Sequence, residues 1–243
     1  MTQEDNCWII VTGGQKGGTG KTTVATNLAT LFASTGWRTL LVRADNQKSL
    51  VVWNDQRAEL GRETVEGQGK EFNEITLVSQ FGKNLHKDVK KLTPQYDVAI
   101  VDAGGFDSQE FRSALLIADV LVSPINASSF DTWTLEQVHE IVDGAKINNP
   151  DLKAGLVLNR VNASSVSEAK KDLRAIVEDK EEPLDNFFIF NKAIVNRNAF
   201  SRAPAHGLTV HEMARPDPKA KEEMVALQLE ILRIFTEASE GGE

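Results

Sequence analysis

Cysteine is almost absent: Cys7 is the single one in 243 residues. That excludes an internal disulfide and a cysteine-rich metal site, and it fits a reducing compartment. No apolar run approaches the ~20 residues that a membrane-spanning helix needs. The opening residues, Met1-Thr2-Gln3-Glu4-Asp5-Asn6, are polar and acidic and lack the character of a secretory signal. A cytoplasmic chain is the expectation. Positive charge is in deficit: the formal net charge is −8. A broadly basic nucleic-acid binder is thereby disfavoured, while a local basic patch stays open. The four histidines show no metal-ligand spacing. Repeats, low-complexity tracts and interdomain linkers are also missing, so one domain over residues 1–243 is expected. The composition, 41% hydrophobic and 26% charged, is ordinary for such a domain.

What is present centres on Gly13-Gly14-Gln15-Lys16-Gly17-Gly18-Thr19-Gly20-Lys21-Thr22-Thr23. The apolar run Trp8–Val11 before it reads as a buried strand, and residues 24–33 after it carry apolar side chains at helical spacing. Strand, glycine-rich loop, Gly-Lys-Thr and helix make a P-loop. Glycines let backbone N–H groups turn inward onto phosphate oxygens, and the helix start adds unpaired N–H groups. Nucleotide-binding candidates are Gly17, Gly18, Thr19, Gly20, Lys21, Thr22 and Thr23. Lys21 would reach the β- and γ-phosphates and the Thr22 hydroxyl would bind Mg²⁺.

Further along, residues 38–43, 75–78, 96–102, 119–125, 154–161 and 186–190 read as strands. Residues 50–60, 85–92, 108–117, 135–147, 164–180 and 219–236 read as helices, and 61–70 as a surface loop. Such alternation implies an α/β fold: a mostly parallel twisted sheet with helices on both faces and ligands beyond the strand C-terminal ends. Asp45, Asp102 and Asn159 all fall there. Asp102 closes the clearest apolar strand, Tyr96–Asp102. Beside a P-loop it is a candidate for the Mg²⁺ shell, directly or through water, although a strand-end aspartate can be a plain turn residue.

The loop departs from the common P-loop pattern: Gln15 stands where glycine is usual, and a second lysine, Lys16, is present. In this it resembles the deviant Walker A loop of the ParA/MinD family of ATPases. Ser129-Phe130-Asp131 with Trp133, Leu158-Asn159-Arg160-Val161 and the region Phe200–Val210 extend the likeness to short, plasmid-type ParA proteins. Trp133 and Phe130 could equally be core aromatics. No DNA-binding N-terminal extension is recognisable. The resemblance implies that Lys16 crosses a dimer interface to the partner's bound phosphates, that Asp45 positions the attacking water, and that Asn159 contacts the adenine. Asp45 as a helix N-cap and Lys16 as a solvated lysine are the plainer alternatives. Where the family strand ends Asp-x-Asp-Pro-Gln, this chain has Arg43-Ala44-Asp45-Asn46-Gln47. Arg43 in place of a carboxylate would slow basal turnover if its guanidinium drew Asp45 or Asp102 away, could contact the γ-phosphate, or could swing out to solvent.

The resemblance further implies an ATPase whose ATP-bound homodimer binds DNA nonspecifically, associates with the nucleoid and segregates or positions a plasmid or other cargo. A ParB-like partner or cargo adaptor would stimulate hydrolysis; ATP and Mg²⁺ are the cofactors. Lys192, Arg197, Arg202 and Lys219 lie where short ParA proteins contact DNA. The lysines at 83, 87, 90 and 91 read as a solvated helix face. A MinD-like membrane ATPase would end in a basic amphipathic helix, whereas this chain ends Ala238-Ser239-Glu240-Gly241-Gly242-Glu243. An electron carrier with a bridging cluster is excluded by the lone cysteine. A small-molecule kinase, and a nucleotide-sensing switch with weak turnover, remain as alternatives.

Overall fold

The central strands are buried almost continuously, β-branched and other apolar residues following one another, because both faces of the sheet are covered. A computed structural model describes residues 7–14, 17–105, 107–126, 132–179 and 181–240. In chain order the elements are β1 (Trp8–Gly14), α1 (Lys21–Ser34), β2 (Thr39–Ala44), α2 (Ser49–Gln56), α3 (Arg62–Glu66), β3 (Thr76–Ser79), α4 (Leu85–Leu92), β4 (Val98–Gly105) and α5 (Gln109–Leu115). Then follow β5 (Val120–Asn126), α6 (Thr132–Lys146), β6 (Lys153–Val161), α7 (Val166–Val177), β7 (Phe187–Ile189), β8 (Ile194–Val195), α8 (Asn198–Arg202) and α9 (Pro218–Glu240). The strands lie in the order β3-β2-β4-β1-β5-β6-β7, with β8 paired to β6, and every pairing among the described residues is parallel.

β1 sits between β4 and β5. The chain builds the sheet on one side of β1 through β2, β3 and β4, then on the other through β5 to β8. Its C-terminal end is therefore a switch point, where a crevice opens for ligands. Ile9, Val11, Ala99 and Val101 point into a core shared with α4, α5, α6 and α7. Ile10, Val98 and Ile100 point to the opposite core, built with α1, α2 and α9. This is the parallel sheet with helices on both faces that the alternation implies.

Several expectations need correction. The expected loop over 61–70 is helical through Glu66, because α2 passes through a π-helical turn, Arg57–Gly61, into α3. The reason is tertiary: Val65 is buried against Ala203 and Leu208, and Arg57 is buried against Glu212. The short β8 and α8 carry too few residues for a periodic signal and were not anticipated. Leu229, an apolar residue within the expected helix over 219–236, faces outward and is 51% exposed. Trp133 is not a core aromatic: it is 59% exposed. The buried stripe of α6 is Leu135, Val138, Ile141, Val142 and Ala145, and Trp133 falls off it. Lys83 precedes α4 rather than lying on it. Among the described residues no helix is long and apolar enough to cross a membrane.

Candidate functional site

The site is assembled from the ends of β1, β2, β4 and β6. α1 begins at Lys21, directly after Gly20, whose φ of 96° is the left-handed conformation glycine adopts without strain. A Cβ on Gly20 would also stand 2.2 Å from Asn159 Nδ2. Thr22, in the first turn, donates from Oγ1 to Asp102 Oδ2 at 2.7 Å. Thr12 on β1 is brought level with Asp102 by the β1–β4 register and donates to Oδ1 at 3.4 Å. Burial pushes the Asp102 carboxyl up to about 6, with Asp45 adding to the shift and the Thr22, Lys21 and Thr12 interactions opposing it. Burial likewise holds the Lys21 ammonium below the usual lysine range, against the pull of Asp102 and Asp45. Asp102 and Lys21 are thus held in a poorly solvated place beside the half-buried Asp45, an arrangement that favours a further charged ligand.

Asp45 is not a helix N-cap. α2 starts at Ser49, with Lys48 in the cap position, and Asp45 Oδ1 instead accepts the Gln47 N–H at 2.9 Å. Its other oxygen lies over Gly104, where a Cβ would be 3.5 Å away. Lys21, Thr22, Asp45, Trp53, Arg160 and Pro204 are among the walls of a cavity of about 380 Å³. A second hollow of about 270 Å³, bordered by Asn159, Arg160, Asn196, Phe200 and Ser201, adjoins it. The donor set suits Mg²⁺, a hard cation that takes few protein ligands. One hydroxyl and one buried carboxylate meet at the loop, and no cluster of three or more His, Cys, Asp or Glu exists among the described residues.

Arg43 takes neither carboxylate. Its Nε donates to the Asp45 backbone oxygen at 2.9 Å, and its guanidinium lies 5.1 Å from the centre of the Phe81 ring. The β2–β3 register sets it opposite Ser79, whose Oγ its terminal nitrogen approaches at 3.4 Å. Asn159 turns its amide to the phosphate loop: Nδ2 donates to the Thr19 carbonyl at 2.6 Å, and Oδ1 accepts the Arg160 N–H at 2.9 Å. Lys16, Phe130 and Asp131 lie outside the described residues.

The four expected DNA-contact residues divide. Arg197 is committed to its own chain, donating to Glu223 at 2.7 Å and standing 4.0 Å from Asp217. Lys192 pairs with the exposed Glu222 at 2.8 Å. Arg202 and Lys219 are exposed.

Sequence reasoning missed Thr12, Trp53 and Arg160 as parts of the site. Arg160 was within a stretch already singled out, but nothing in its identity signals that its guanidinium reaches the Gly18 carbonyl, 142 residues away, at 2.8 Å. Arg57 was missed as well, since its partner Glu212 is 155 residues distant.

Comparison with known proteins agrees with this geometry. The maintenance of carboxysome distribution protein A of Halothiobacillus neapolitanus is 24% identical over 229 residues, covering 94% of this chain and 98% of that one. A putative plasmid partition protein of Borrelia burgdorferi bound to AMPPNP superposes with a TM-score of 0.66 at 21% identity, over 96% of this chain and all of that one. The septum site-determining protein MinD of Pyrococcus horikoshii, complexed with Mg-ADP, gives 0.67 at 18% identity, over 93% and 96%. The sequence also matches the CbiA family, described as the CobQ/CobB/MinD/ParA nucleotide binding domain, over residues 10–210. That match spans most of the sequence, and the chain belongs to that family of nucleotide-binding proteins, the ParA/MinD family.

Proposed function

We propose that the chain is an ATPase of the ParA type. The observation that carries this reading is the Thr22–Asp102 hydrogen bond of 2.7 Å at the mouth of the phosphate loop, beside buried Lys21 and the Asp45 carboxylate. Gly17, Gly18, Thr19, Gly20 and Thr23 would surround the phosphates, and Lys21 would offset their charge. Mg²⁺, held by Thr22 with Asp102 directly or through water, would neutralise charge on the β- and γ-phosphates. Asp45, fixed by the Gln47 N–H, would orient the attacking water. Lys16 would act across an ATP-bound homodimer, where two nucleotides face to face need positive charge from each side. Arg202 and Lys219, with Lys192 once it exchanges Glu222 for a phosphate, would supply nonspecific DNA contacts. Arg197 is left out of that surface, because freeing it would strand buried Glu223. A ParB-like adaptor would stimulate turnover and release the dimer, moving a plasmid or other cargo.

Steady-state phosphate release with ATP and Mg²⁺ tests the reading. Asp45→Ala should slow turnover about 100-fold while the ATP-dependent dimer still forms in light scattering. Turnover at the parent's rate in that variant would remove Asp45 from catalysis. A chain that binds ATP and dimerises with no measurable turnover of its own would be a nucleotide-sensing switch. DNA retention that is independent of ATP, or indifferent to salt, would sink the DNA-binding part.

A further inference from the structure

β6 ends in a residue with an unusual backbone. Arg160 has φ 55°, and it is the one non-glycine residue with positive φ among those described. Here the ladder to β8 slips register, between Asn159 and Val161. In a regular strand Asn159 and Arg160 would point to opposite faces. The left-handed step brings both onto the phosphate loop instead. Arg160 donates to the Gly18 carbonyl at 2.8 Å, and Asn159 donates to the next carbonyl, Thr19, at 2.6 Å. The Asn159 amide oxygen accepts the Arg160 N–H, so the left-handed turn is itself hydrogen-bonded.

Holding two consecutive carbonyls has a consequence for the groups on the other side of each peptide. In a trans peptide the C=O and the following N–H point in opposite directions, and no described bond is cis. Drawing the Gly18 and Thr19 oxygens outward toward β6 therefore aims the Thr19 and Gly20 N–H groups the other way. Gly18 and Gly20 are left-handed, at φ 89° and 96°, and Thr19 between them is not. That alternation makes consecutive N–H groups converge on one anion.

We propose that Asn159 and Arg160 clamp the outside of the phosphate loop, and that Arg160 is a positioning residue which pre-forms the N–H cradle for a nucleotide's polyphosphate without touching the nucleotide. The proposal rests on the ATP-binding reading above. It also accounts for an arginine in a left-handed conformation that glycine would occupy with less strain.

Arg160→Gly separates the roles, because it removes the guanidinium and relieves the backbone together. Titration calorimetry with ATP, ADP and inorganic tripolyphosphate should show an affinity loss of about tenfold, equal for the three ligands. The ligand-free thermal midpoint should be no lower than the parent's. Arg160→Ala, which keeps the strained conformation, should show the same affinity loss with a lower midpoint than Arg160→Gly. Affinities equal to the parent's would overturn the clamp. A loss that spares tripolyphosphate would make Arg160 a base or ribose contact, and a loss confined to the two triphosphates would make it a γ-phosphate contact. A midpoint that falls in Arg160→Gly would leave it a residue of the fold alone. A parent chain that binds none of the three ligands would overturn the nucleotide reading, and the clamp with it.

Discussion

Lys21 with Asp102, and Arg57 with Glu212, are two sets of buried charges in one fold, with relative exposures of 8%, 2%, 4% and 5%. They are satisfied differently. Arg57 meets Glu212 through two parallel hydrogen bonds of 2.8 and 3.0 Å and gives further ones to the Gly207 and Asn73 carbonyls. Its guanidinium lies against the rings of Phe72 and Trp53, at 4.4 and 5.3 Å. Glu212 also takes the Thr209 N–H and hydroxyl. A Cβ on Gly207 would stand 2.1 Å from the Arg57 backbone nitrogen, so that close approach of the two backbones requires glycine. Asp102, by contrast, receives the hydroxyls of Thr22 and Thr12 and carries a carboxyl raised to about 6 by burial. The lesson is that a carboxylate met by a two-pronged guanidinium ties distant segments together, whereas a desolvated carboxyl and lysine beside a cavity are placed to meet a ligand.

The largest effect that sharpens this contrast belongs to the completed cluster. Arg57→Ala should cost about 3–5 kcal/mol of stability in urea denaturation, because Glu212 would remain buried and charged. Arg57→Met with Glu212→Leu should recover only part of it, since Thr209 would lose its acceptor. A loss below about 1 kcal/mol in the single variant would put this pair in the class of surface bridges.

Lys21→Ala should do the reverse. Binding of a fluorescent ATP analogue should weaken about 100-fold, while the thermal midpoint moves far less than in Arg57→Ala. Equal midpoint losses in the two variants would erase the distinction between the clusters.

Acid should distinguish them on a smaller scale. Burial holds His211 down to about 4, with Glu212 opposing and Arg57, Lys221 and Lys70 reinforcing the shift. The unfolded chain then takes up this proton before the folded one does. His211 therefore contributes stability at neutral pH that is lost as pH falls from about 6.5 toward 4. Asp102 and Asp119, both raised to about 6 by burial, act in the opposite direction over much of that window. The difference between parent and His211→Gln is the quantity to follow: the parent's thermal midpoint should fall more steeply with acid. Parallel curves would mean that His211 titrates normally in the fold.

The smallest effect is expected at Arg43. Its guanidinium is turned to Phe81 and the Asp45 backbone, so Arg43→Ala should change ATP turnover by no more than about threefold. A tenfold loss with ATP binding intact would move Arg43 into the nucleotide cluster.

The nucleotide side of this comparison was legible in the sequence to a degree the other side was not. Lys21, Thr22 and Asp102 are marked by local context: a glycine-rich loop between strand and helix, and an apolar run ending in a carboxylate. Arg57 and Glu212 have no such context, and Gly61, just after Arg57, opens a stretch that reads as a loop where the helix continues. Arg43 shows the limit within one residue. Its identity announced a departure from the Asp-x-Asp strand end, but not the direction of its side chain.

By itself, the order of residues determined the parallel α/β architecture, the phosphate loop and the strand-end carboxylates, since each depends on periodicity and spacing over a few neighbouring residues. The tertiary structure alone decided that Arg57 reaches Glu212, that Arg197 is spent on Glu223, that Trp133 faces outward and that Arg160 bends back onto Gly18. Those outcomes depend on which distant segments the folded sheet brings within hydrogen-bond distance. For Arg160 they depend also on a backbone conformation that an arginine adopts only when its surroundings hold it there.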